Sequence, residues 1–179
     1  LVINTRNGLI QYDGKGVSGY QRIGAGPTKI YVEMETMQKP ERVGVVDSQV
    51  VNFGKASAEG RNKALVLTFK EKQVNLRYGI SFISTEQAHK NLTRARQTYD
   101  VQEGAEKERK IRNNTLSKSG IQDGCKSDKI VFYTCLDRTY ARMINLSEDG
   151  RYYSGMDNKV HEDNGVPFYT DDWTWDTYR

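Results

Sequence analysis

Short β-rich runs punctuated by Gly, Pro and Asn fill the first half of the chain, at 1–4, 9–12, 19–23, 29–36, 42–46, 49–53, 63–69 and 75–82. Strands at this spacing, bounded by turn residues, predict the antiparallel strands of a β-sandwich. Alternation is clearest in Tyr31-Val32-Glu33-Met34-Glu35, where even positions are expected to face a core and odd ones solvent or a cleft. In 75–82 the even positions Leu76, Tyr78, Ile80 and Phe82 are all apolar, which fits a half-buried strand with its even side inward. The run Gly14-Lys15-Gly16-Val17-Ser18-Gly19 matches GxGxxG, a pattern that holds a pyrophosphate only between a strand and a helix. Strand-like residues follow it here, so it is read as a Gly-rich hairpin.

The period changes at Ser84. Ser84-Thr85-Glu86-Gln87 is a capping box, with Ser84 as N-cap and Gln87 three residues on, so a helix is expected over 84–99 and a second polar one over 101–114. Their sparse apolar anchors, Ala88, Leu92, Ala95, Tyr99, Val101 and Ile111, suit a connector lying on a surface. After a loop over 120–126, Asp128 is expected to cap a third helix, in which Phe132, Leu136, Tyr140 and Met143 recur at four- and three-residue steps and mark a core element. Beyond Asn145 the chain turns acidic, aromatic and Gly-rich, the character of loops that line something.

Composition narrows the class. With 36% hydrophobic and 28% charged residues, eleven Tyr, five Phe and two Trp, the chain is too aromatic and too mixed in charge to be disordered. Its longest apolar runs, such as 64–69, are far shorter than the ~20 residues of a membrane span, so no such span is expected. The net charge of +4 raises nucleic-acid binding, but the basic residues alternate with acidic ones, as in Glu106-Lys107-Glu108-Arg109-Lys110, instead of forming a stripe. A solvated face explains them better. Cys125 and Cys135, ten apart and with no CxxC or clustered His, argue against structural zinc, and buried free thiols are expected ahead of a disulfide. The chain starts on strand-like residues without Met and stops after Trp175-Asp176-Thr177-Tyr178-Arg179 without a breaker, which suggests an internal piece.

The chemistry concentrates near the end. Asp171, Asp172, Trp173, Trp175 and Asp176 combine carboxylates that accept from sugar hydroxyls with aromatic faces that cover sugar C–H patches. The same residues also suit a helix N-terminus backed by core tryptophans, and the residues alone leave both readings open. The three carboxylates are too close in sequence to promise the ~6.5–9.5 Å separation of an inverting hydrolase. Of the two histidines, His89 is expected on a surface and His161 at most in the lining of a pocket, since neither stands in a HExxH or Ser-His-Asp setting. Asp157, Glu162, Asp163 and Asn164 suggest calcium, without the alternate-residue spacing of an EF-hand loop.

Several stretches resemble glycoside hydrolase family 92 in order. Ser18-Gly19-Tyr20 is similar to a strand of that family's N-terminal domain, and Tyr78-Gly79-Ile80-Ser81-Phe82-Ile83-Ser84-Thr85-Glu86-Gln87-Ala88 to its last strand running into linker helices. Phe132-Tyr133-Thr134 resembles the helix that opens the catalytic domain, although Cys135, Asp137 and Arg142 depart from the mostly apolar pattern expected there. Asn158-Lys159-Val160-His161, Tyr169-Thr170-Asp171-Asp172 and Trp175-Asp176-Thr177-Tyr178-Arg179 resemble the pocket loop that follows.

The resemblance implies an α+β fragment: the C-terminal part of a β-sandwich (supersandwich) over 1–84, a helical linker over 85–120, and the first helices of an (α/α)6 toroid over 121–179. It implies part of a calcium-dependent, inverting exo-α-mannosidase acting on terminal α-linked mannose of glycans, inactive as a fragment. Its partners would be mannose-containing glycans and the remainder of its own enzyme chain. Asp176, Trp175, Asp172 and His161 would bind substrate, while the catalytic acid, the base and most calcium ligands would lie downstream of Arg179. Secretion to the periplasm or cell surface of a bacterium is implied as well. The competing reading is a noncatalytic carbohydrate-binding module, favoured by the β-rich half and the Asp/Trp cluster.

Overall fold

Asp13 opens the first hairpin. Its Oδ1 accepts from the backbone N–H groups of Lys15 (2.8 Å) and Gly16 (2.9 Å), an Asx turn that joins β1 (Val2–Tyr12) to β2 (Gly16–Arg22). The GxGxxG run is therefore a hairpin and the strand after it, as the sequence context implies. The computed structural model describes residues 2–47, 50–95, 98–140 and 144–170.

Five further strands complete one antiparallel sheet: β3 (Lys29–Thr36), β4 (Arg42–Asp47), β5 (Val50–Phe53), β6 (Ser57–Thr68) and β7 (Leu76–Ser81). The strand order is β5-β4-β6-β1-β2-β3-β7. The runs expected at 1–4 and 9–12 are a single long strand, because β1 is paired with β6 from Val2↔Val66 to Gln11↔Ser57 and needs no turn between them. The core gathers Ile10, Val17, Val45, Ala58, Leu65 and Leu67, with Met34 and Phe69 packed against it. Even-numbered Ala58 and odd-numbered Leu65 share this cluster although they lie on one strand. Gly60 (φ 118°) and Asn62 (φ 52°) between them are left-handed, and the alternation changes there while the β1–β6 register runs on unchanged from Thr5↔Lys63 to Asn7↔Arg61.

A helix, α1 (Thr85–Ala95), follows β7 and lies on the sheet. Ser84 Oγ accepts from Gln87 N at 3.1 Å, the cap expected from the sequence, and Ala88 and Leu92 are fully buried while His89 is exposed. The docking inverts the expected sidedness of β7. Leu76, Tyr78 and Ile80 are 39%, 59% and 49% exposed, whereas Gly79 and Ser81 are buried. A Cβ on Gly79 would stand 2.6 Å from Leu92 N and 2.8 Å from Leu92 Cβ, and closer still to the Ala88 carbonyl oxygen. The helix backbone rests where a side chain would be, so the face with the small residues, not the apolar one, is covered.

The chain divides into two compact units. The first comprises Leu1–Tyr99 and Arg151–Glu162: the sheet, α1, and a hairpin of β9 (Arg151–Ser154) and β10 (Lys159–Glu162). The second comprises Asp100–Gly150 and Asp163–Arg179. It holds α2 (Val101–Leu116), α3 (Lys126–Thr139) and a short ladder between β8 (Ile144–Asn145) and β11 (Tyr169–Thr170). Asp100 caps α2 by accepting from Gln102 N and Glu103 N. The α3 helix begins two residues before the expected cap, so Asp128 sits at its third position and accepts from Cys125 N at 3.4 Å.

Neither α2 nor α3 has a buried residue. The expectation of a core stripe on α3 is corrected for Phe132, which is 37% exposed, and Tyr140, which is 55% exposed, while Met143 lies outside the described residues. Among the described elements of this unit α2 packs against α3, and no described layer covers the stripe. Cys125 and Cys135 are free, and both are exposed where burial was expected, for the same reason. The fold class is the expected one: a large antiparallel sheet followed by a few helices.

Candidate functional site

The β9–β10 hairpin places the one described residue among the four expected sugar contacts. Its register pairs Tyr152 with His161 and Tyr153 with Val160. The connection is built by its own polar side chains: Ser154 Oγ accepts from Met156 N, Asp157 Oδ1 accepts from Lys159 N, and Asn158 takes the left-handed conformation (φ 60°) that its short amide tolerates. Local polar contacts therefore close the turn.

On one side of the hairpin the rings of Tyr152 and His161 stack at 5.5 Å between centroids and 26° between planes. The loop returns Asp157 to this side, with its Oδ2 at 2.8 Å from His161 Nε2. Desolvation opposes ionisation of Asp157, but hydrogen bonds from His161, Ser154 and the Lys159 backbone, with the charge of His161, outweigh it and hold the carboxyl below its ordinary value. An aromatic face beside an ionised carboxylate and an imidazole can hold a polyhydroxylated ring, the face covering C–H groups and the polar atoms meeting hydroxyls. Asp157 and Tyr152 are additions to the expected set. No local sequence signal marks them: the β9–β10 register sets Tyr152 opposite His161, and the turn returns Asp157 to it. Asp172, Trp175 and Asp176 lie outside the described residues.

A second titratable cluster lies on the α1 side of the sheet. Burial pushes the Glu33 carboxyl above its ordinary value, the charge of His89 works against this, and Asp13 and Glu35 reinforce it. No three His, Cys, Asp or Glu side chains among the described residues come together closely enough to hold a metal ion. Of the acidic run proposed for calcium, Asp157 is committed to His161 and Asp163 accepts from Gly165 N at 2.9 Å in the following turn.

Comparison with known proteins identifies the family. Residues 87–179, more than half the chain, match the family model of the glycosyl hydrolase family 92 catalytic domain. The chain belongs to glycoside hydrolase family 92. Over 99% of its length it superposes on the family GH92 inverting mannosidase BT2199 of Bacteroides thetaiotaomicron VPI-5482, with a TM-score of 0.86 and 27% identity. It also shares the fold of the GH92 α-mannosidase BT3965 of the same species (TM-score 0.83, 23% identity, 96% of this chain). The GH92 family glycosyl hydrolase ccman5 aligns over 95% of the chain at a TM-score of 0.79 and 24% identity. These matches cover 26%, 25% and 24% of the respective structures, so the family 92 chain described here spans about a quarter of their length. No curated protein sequence matches it.

Proposed function

We propose that this chain is part of an exo-α-mannosidase that removes terminal α-linked mannose from glycans with inversion, and that it contributes sugar-binding residues but neither the catalytic acid nor the base. The observation that carries the reading is the agreement of two independent likenesses, the family match over 87–179 and the superposition on an inverting mannosidase. In such an enzyme one carboxylic acid protonates the departing oxygen and a carboxylate activates a water on the opposite face. Asp176 and Asp172 are assigned to sugar hydroxyls, Trp175 to the ring face, and His161, with its Tyr152 and Asp157 neighbours, to substrate binding as well.

Calcium is part of the proposal, as an ion that contacts the sugar. Most of its ligands are assigned, from the family resemblance, to other parts of the enzyme. The proposed division is sheet domain over 1–84, helical linker over 85–120 and the start of an (α/α)6 catalytic domain over 121–179. The proposed location is outside the cytoplasm, in the periplasm or at the cell surface of a bacterium.

Mannose release from a panel of α-mannobiosides by the complete enzyme tests the reading, with the Asp176→Ala variant and a chelator as the two perturbations. Loss of a charged hydrogen-bond acceptor in the site should lower kcat/KM roughly ten- to a hundredfold. Chelation should abolish release until calcium is restored. An Asp176→Ala enzyme as active as the parent would remove Asp176 from the site, and a complete protein that binds mannan without cleaving it would favour the carbohydrate-binding module.

A further inference from the structure

The β9–β10 hairpin falls inside the stretch matched to the catalytic domain, yet it belongs to the first compact unit, with the sheet and α1. The contacts that seat it there are polar and specific. Arg151 Nη2 donates to Gln87 Oε1 at 3.1 Å, and Gln87 is 1% exposed on α1. The orientation of that buried amide is fixed by a relay: Asn91 Nδ2 donates to the Ile80 carbonyl at 2.9 Å, which leaves Asn91 Oδ1 to accept from Gln87 Nε2 at 3.2 Å and turns Gln87 Oε1 toward Arg151. The second anchor is Tyr153. Its hydroxyl donates to Asn158 Oδ1 at 3.0 Å, so the Thr28 hydroxyl, at 3.1 Å, is its donor from the sheet.

Arg151 and Tyr153 are two residues apart on β9 and share one side of it, whereas Tyr152 and its partner His161 project from the other. The hairpin is thus two-sided, with one side bonded into the sheet unit and the opposite side carrying the stacked rings and Asp157. We propose that the hairpin is a keyed wall of the mannose site, in which Gln87 and Thr28, acting through Arg151 and Tyr153, are positioning residues for Tyr152 and His161. This rests on the mannosidase reading above. The buried amide relay reaches the hairpin from the strand-to-helix corner at Ile80, so the placement of sugar-facing groups is set by the sheet.

The test is a set of substitutions in the complete enzyme, each checked for a native circular-dichroism spectrum and followed by KM and kcat for an α-mannobioside. Gln87→Leu and Arg151→Met should each raise KM roughly five- to tenfold, the loss of one charge-assisted hydrogen bond, with kcat within about twofold. Gln87→Glu, which keeps an acceptor toward Arg151 but loses the donor to Asn91 Oδ1, should recover only part of the affinity lost in Gln87→Leu. Combined with His161→Ala, Gln87→Leu should add no further loss, because both act on the same contact. Independent, multiplying losses in that pair would overturn the positioning role. So would an unchanged KM in Arg151→Met beside a raised KM in His161→Ala. If His161→Ala itself leaves KM unchanged, the assignment of His161 to the sugar site fails instead.

Discussion

Replacing Gly79 with alanine should unseat α1 from the sheet, and the size of the effect follows from three atoms. The added Cβ would lie 2.6 Å from Leu92 N and 2.8 Å from Leu92 Cβ, with the Ala88 carbonyl oxygen nearer still. Two of these are backbone atoms of a helix, which do not step aside as a flexible side-chain end would. Overpacking of this kind costs about 1–3 kcal/mol, and a rigid neighbour puts the cost in the upper half of that range. The alternative is for the helix to lift, which exposes Leu92, now 1% exposed, and forfeits about 2 kcal/mol of burial, with a smaller loss from Ala88. Both routes converge on about 2–3 kcal/mol. For a protein of this size that lowers Tm by roughly 4–12 °C. Thermal unfolding followed by circular dichroism measures it, with Gly26→Ala as the control, since a Cβ there meets nothing within 4 Å and should change stability by no more than about 0.5 kcal/mol. A Gly79→Ala protein that melts with the control would refute the argument that close backbone approach decides which face of β7 is covered.

Two further outcomes follow from the charge and exposure pattern. The Glu33 carboxyl is raised in the folded state, chiefly by burial, so the unfolded chain gives up its proton first and stability falls as pH rises from about 4.3 through the raised folded value. Glu33→Gln should remove that slope and stabilise the protein at neutral pH by less than about 1 kcal/mol, because the group is only half-buried; urea midpoints from roughly pH 4 to 7 measure the difference, and parallel pH profiles for the two proteins would contradict it. Cys125 and Cys135 are both exposed on or beside α3, so both thiols of the isolated 179-residue chain should react with a thiol-titrating disulfide reagent without denaturant, and protection of either would contradict that exposure.

Local chemistry was the part of the fold that could be read from the sequence. Ser84 caps α1, Asp13 and the glycines after it close a hairpin, and the short β-rich runs are strands, because each of these features depends on residues within a few positions of one another. Sidedness was read wrongly wherever it depended on a distant element. The even positions of β7 are the more apolar, but α1 covers the odd ones because only Gly79 and Ser81 leave room for its backbone. The same limit explains α3, whose helical period is genuine while its stripe finds no covering layer among the described residues. At the candidate site, His161 stands in a stretch that resembles a family motif. Its partners Tyr152 and Asp157 carry no such mark, since the register of the hairpin brings the one to it and the turn returns the other.

The misread face and the candidate site are linked through one helix. Gly79 lets α1 lie close enough on the sheet for Asn91 to reach the Ile80 carbonyl, and that bond orients Asn91 to accept from Gln87. Gln87 in turn presents the oxygen that Arg151 binds, and Arg151 stands beside Tyr152 on the strand that faces His161. A displacement of α1 by a fraction of an ångström acts on the two bonds of this relay that leave the helix, Asn91 to the Ile80 carbonyl and Arg151 to Gln87, since N–H···O bonds are made at about 2.7–3.2 Å. If the hairpin is keyed as proposed, Gly79→Ala should therefore raise KM for mannosides in the complete enzyme by about as much as Gln87→Leu, although Gly79 itself lies under the helix and away from the hairpin's sugar-facing side. A protein destabilised by Gly79→Ala but unaltered in KM would separate the two, leaving the glycine as a packing requirement and the hairpin seated by Thr28 and Tyr153 alone.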